Sequence, residues 1–276
     1  MNTSSSLLKS PLSAVFTLSI IVAALMTALS LAGLLFPMAI YPGEELRQSF
    51  IANDVVNLVI GLPVLLGALW LARRGKLPGL LGLPGALFYV TYNSIAYAAA
   101  MPLTWLFFAY LALISLSTVA VFRLLSGVDG AVVQARLHGR VAERFGAGVL
   151  MGLGGLFFLR AVGEFFDGAA GMAEFGVLVA DGLTTPFWIL GGLYLWRKRP
   201  FGYISGAGLL FQASMLFVGL LVFFILQPFV AGVPFPLVDF VVILAMGLVV
   251  FIPFGLFWCG VISSADHIPR RNEVRT

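Results

Sequence analysis

The chain has 276 residues, 61% of them hydrophobic and 10% charged, with a formal net charge of +4 and a mean hydropathy of +1.05. A soluble domain carries about 25% charged residues, so this chain lacks the polar surface to cover a globule, and lipid is the expected solvent for most of it. The positive charge does not point to nucleic acid, because the basic residues lie in short clusters between apolar runs, where orientation in a membrane accounts for them.

A hydrocarbon core of about 30 Å is crossed by about 20 helical residues. Eight segments qualify: 12–36, 51–72, 80–100, 103–125, 145–166, 175–196, 202–226 and 237–262. The first has an apolar run well beyond the roughly 7–15 residues of a signal-peptide core and is read as a retained span. Only Met101-Pro102 separates the third from the fourth, and proline, with no amide to donate and a bias against helix in the residue before it, makes a break there. The fifth carries Arg160 and Glu164 near its end, so its uninterrupted apolar stretch is short. Between the fourth and fifth lies a connector, 126–144, in which Val132, Val133, Leu137 and Val141 have the spacing of an amphipathic helix facing lipid, with Arg136, Arg140 and Arg144 recurring every fourth residue. A solvated connector accounts for the same residues.

With the N-terminus inside, the cytoplasmic side holds Lys9; Arg73, Arg74 and Lys76; Arg123, Arg136, Arg140 and Arg144; Arg197, Lys198 and Arg199; and Arg270, Arg271 and Arg275. Only Arg47 and Arg160 of the sixteen Lys and Arg fall outside, the positive-inside bias expected of a correct count. The expected fold is therefore an all-α integral membrane protein of eight transmembrane helices, a single polytopic domain in the cell membrane with both termini cytoplasmic. The segment 67–79, which closes the second span, resembles 191–202, which closes the sixth. This suggests two parallel four-helix repeats, 12–125 and 145–262, related by an axis along the membrane normal. Spans ending in basic clusters resemble one another in any case, so coincidence stays open. Small residues at Gly148 and Gly152, at Gly202 and Gly206, and at Ala24, Ala28 and Ala32 mark faces for close helix packing.

Much chemistry is excluded by residue types. His138 and His267 lie outside the spans, which argues against an intramembrane haem or zinc site, and no cofactor is expected. The lone Cys259, in an apolar run, reads as a small buried hydrophobe. No phosphate-binding glycine loop is present. What remains is a set of polar groups in the outer half, where an ionisable side chain is costly and tends to line a cavity. Asp54 sits in the second span beside Asn53 and Asn57, and Asp181 lies in the sixth before Thr184, Thr185 and Pro186. Arg160 and Glu164 stand at i and i+4 in the fifth, in reach of an ion pair. Tyr89, Asn93 and Tyr97 share one face of the third. The binding candidates are Asp54, Asn57, Asn93, Arg160, Glu164 and Asp181, lining an outward-facing cavity for a small solute or cation. The leading expectation is a transporter. An intramembrane enzyme on a lipid-type substrate, with carboxylates as acid and base, and a non-catalytic subunit or sensor are the alternatives.

Overall fold

A computed structural model describes residues 7–168 and 171–266. The tail residues His267, Arg270, Arg271, Glu273 and Arg275 lie outside the described residues. Among the latter the chain is helical, with one isolated bridge between Leu8 and Val128. In order come α1 (Ser13–Leu35), α2 (Pro37–Ile40), α3 (Glu44–Val56), a π-helical segment (Asn57–Gly61), α4 (Leu62–Arg73), α5 (Leu77–Ala100), α6 (Trp105–Gly127), α7 (Gly130–Leu137), α8 (Glu143–Asp167), α9 (Met172–Trp196), α10 (Pro200–Ala231) and α11 (Leu237–Asp266). The π-helical segment joins α3 to α4 in one continuous element of 30 residues. Proline opens α10, where its missing amide costs nothing. Asp129 caps α7, its Oδ1 accepting from the amides of Ala131 at 3.0 Å and Val132 at 3.3 Å.

Among the described residues seven helices are long and apolar enough to cross a membrane: α1, α3–α4, α6, α8, α9, α10 and α11. Helix α5, the counterpart of the third expected span, has 24 residues but is not among them. Its burial supplies the reason. Nearly all of its side chains, Thr91, Asn93 and Ser94 included, are buried, because α4, α6, α9, α10 and α11 surround it. A helix wrapped in protein need not be lipophilic on any face.

The long helices form two similar rings. In the first, α1 packs on α3–α4 and on α6, α4 packs on α5, and α5 on α6. In the second, α8 packs on α9 and on α11, α9 on α10, and α10 on α11. The rings meet through α5, which touches α9 and α10, and through α3, which touches α10 and α9.

The α4–α5 and α9–α10 turns match bond for bond at a separation of 123 positions. Arg74, Gly75 and Lys76 donate their amides to Trp70, Ala72 and Leu71; Arg197, Lys198 and Arg199 donate theirs to Leu193, Leu195 and Tyr194. Gly75 and Lys198 occupy the same left-handed seat, with φ of 67° and 51°. Gly79 is seated on the backbone of Leu71 and Ala72, and Gly202 on that of Tyr194 and Leu195. Six residues further on, Gly85 and Gly208 abut each other where α5 crosses α10, so close that a Cβ on Gly85 would strike the Gly208 carbonyl oxygen. The absence of side chains here lets the two backbones touch.

Charge segregates along the bundle. At one end Lys9 donates its amide to Gly127, the Gln134 amide reaches the Lys198 carbonyl at 2.8 Å, Gly260 abuts Arg140, and the Arg73 guanidinium lies 5.8 Å over the Phe16 ring. This is the basic end. At the other, Glu45 Oε1 accepts from the Ala173 amide at 3.0 Å and joins the start of α3 to the start of α9.

The connector departs from expectation. Between α6 and α8 only 130–137 of it is helical, since Gly139 turns left-handed at φ 71°, and Val133 and Leu137 are buried in protein against α10 and α11, not presented to lipid. Glu143 secures it, accepting from the Tyr203 hydroxyl at 2.6 Å and lying 3.2 Å from Lys198 Nζ. Two further expectations are corrected. A Cβ on Gly152 would meet nothing within 4 Å, and Ala24 and Ala28 are exposed, whereas Gly146 and Gly154 carry the close contacts of α8, on Leu210 and on Trp188 and Ile189. Cys259 is exposed, because its side of α11 has no neighbour.

Candidate functional site

A cavity of about 310 Å³ lies where the two rings meet, between α3, α5, α8, α9 and α10. It reaches from Ser49, Ala173 and Glu174, at the end away from the basic cluster, down to Phe157 and Trp188. Its size is at the lower end of the range for small-molecule sites. The structure brings Asn93, Arg160 and Asp181 together in its wall, from three different helices. Asp181 is 6% exposed, and its Oδ1 accepts from the Tyr92 hydroxyl at 2.9 Å. Arg160 Nε donates to Glu164 Oε1 at 2.9 Å, the i,i+4 pair expected from spacing. Glu164 thus reaches the cavity only through its partner.

Asp54 and Asn57 are elsewhere. They line a second cavity of about 10 Å³, inside the first ring, which has room for about one water. Asp54 is held by two tyrosines: Tyr97 donates to its Oδ1 at 2.9 Å and Tyr41 donates to its Oδ2. Burial raises the Tyr41 hydroxyl well above its ordinary range, so it remains a donor. Asn93 lines both cavities and accepts from the Asn53 side-chain amide at 3.2 Å, which links the two. Tyr89 donates to Asn57 at 3.4 Å behind them.

Part of the lining of the two cavities corresponds. The small one is lined from α5 by Asn93, Ser94 and Tyr97, and the large one from α10 by Leu216, Phe217 and Leu220, the residues 123 positions on. In the first ring Tyr97 fills the space, stacked on Phe50 at 4.3 Å and Tyr110 at 4.9 Å. In the second, Leu220 stands at the matching position and lines the large cavity. No spacing rule finds Tyr41, which sits outside the long helices, or Tyr110. Trp188 was within reach of such a rule, because it stands at i+7 from Asp181 on the same helix face. Its Nε1 donates to Gln212 Oε1 at 2.5 Å, which fixes the ring at the cavity floor.

Comparison of the chain with protein-family models, with curated proteins and with solved structures finds no match.

Proposed function

We propose that the chain is a transporter of a small solute, bound in the large cavity with its mouth facing outward. The observation that carries this reading is the convergence of Asn93, Arg160 and Asp181, far apart in sequence, on one cavity between two similar helix rings. Secondary transporters place their substrate sites at such a junction of repeats, and movement of one against the other changes access. We propose with it that α5 is an eighth span, that both termini are cytoplasmic, and that the rings are parallel 4+4 repeats. The matched turns and the Gly85–Gly208 crossing support the duplication. The gathering of Lys9, Arg73, Arg140 and Lys198 at one end supports the orientation.

Proteoliposomes holding the full chain test the reading. Solute-driven currents or uptake are expected for the unaltered protein and are expected to fall to the protein-free level in Asp181→Asn and Arg160→Ala, with expression and thermal unfolding retained. Unchanged transport by both variants sinks the proposal.

A further inference from the structure

We infer that the large cavity takes an organic monocation, an amine carried on an apolar body; the inference rests on reading this cavity as the solute site. Three observations identify the ligand class. The first is charge. Arg160 is engaged by Glu164 at 2.9 Å, which matches the guanidinium, while Asp181 adds a further carboxylate to the wall. The local balance is negative and favours a cation. The second is an open acceptor. Asp181 is more than nine-tenths buried and lines the cavity, yet the one hydrogen bond to its carboxylate among the described residues, from Tyr92, occupies Oδ1 and leaves Oδ2 for a ligand. An ammonium there would meet a carboxylate already oriented by a tyrosine.

The third observation is the rest of the wall, and it separates an organic cation from a metal ion. Calcium and magnesium need six or more oxygen ligands, and among the described residues no group of three or more His, Cys, Asp or Glu is placed to hold a metal. Phe157, Trp188, Phe217 and Phe223 line the cavity instead. Their faces attract a diffuse cation and accept an apolar body, but supply nothing to a strongly hydrated ion. Phe157 lies edge-on to Trp188 at 6.2 Å, a rigid aromatic corner for such a body.

The charge of the probe provides the test. Titration calorimetry of the full chain in detergent compares 2-phenylethylammonium, the neutral 2-phenylethanol and the anionic 3-phenylpropionate, three ligands of similar size. The amine is expected to bind at least about tenfold more tightly than the alcohol, as a buried charge pair requires, and the acid least. Asp181→Asn is expected to remove that preference and Asp181→Glu to keep it. Equal affinities, a preference for the acid or the absence of amine binding overturns the inference. The series on the unaltered chain decides this even where Asp181→Asn does not fold. An amine that binds but is not carried into proteoliposomes refutes transport and leaves the ligand class standing; carriage of the acid alone does the reverse.

Discussion

The carboxylate of Asp54 shows what a single acid in this setting demands. A buried charge without partners costs several kcal/mol, and this one is satisfied by hydroxyls from Tyr41, 13 residues away, and Tyr97, 43 away. The acid itself stood out in the sequence, as did its neighbour Asn57. Of its partners Tyr97 stood out on the polar face of its helix but Tyr41, in a turn, did not, and neither pairing could be read, because pairing across elements leaves no spacing. The distinction between Asp54 and Asp181 was hidden for the same reason. One is enclosed by aromatic rings and the other lines an open cavity. Tyr97→Phe removes one donor from a buried carboxylate and is expected to lower stability by about 1–3 kcal/mol. Thermal unfolding in detergent measures it, and an unchanged midpoint would show that Asp54 does not depend on this bond.

At the scale of helices, apolar length and breaks were legible, and close packing was not. Glycines attracted attention in α8 for their spacing, but spacing does not say which face meets a neighbour. Gly152 meets none, whereas Gly85, with no small residue four positions to either side, is where α5 and α10 touch. Helix α5 carries a related lesson. Its polar stripe marked it as a helix facing protein, and the same polarity keeps it out of the set of apolar helices. The crossing gives an element-level prediction. In Gly85→Leu the side chain collides with the Gly208 carbonyl, backbone that cannot swing aside, and overpacking of this kind costs about 1–3 kcal/mol or more. Gly152→Leu, open on its face, is expected to leave the unfolding midpoint within about a degree, a surface substitution in effect. Comparable loss in both would refute the assigned contact.

For the whole molecule the polarity of charge is the feature that sequence and structure share most directly. Lys9, Arg73, Arg140 and Lys198, from four of the clusters identified along the chain, meet at one end, while Glu45 bridges α3 to α9 at the other. Thiol labelling checks the orientation proposed from this. In a Cys259→Ser background, Ser49→Cys at the cavity rim is expected to react with a membrane-impermeant maleimide on intact cells, and Arg199→Cys only after lysis. The opposite pattern inverts the proposal. The second ring then meets the bilayer on different terms from the first. Helix α10 has 32 residues, about 48 Å of helix at 1.5 Å per residue, against a hydrocarbon core of about 30 Å. From Pro200 to Val238 no Asp, Glu, Lys, Arg or His interrupts it and the turn that follows. So long an apolar rod is accommodated by tilting or by thickening the lipid around it. Leu220 and Phe223 line the cavity from this helix, so the angle at which α10 leans, and with it the width of the opening, belongs to the membrane's thickness as much as to the protein's own contacts.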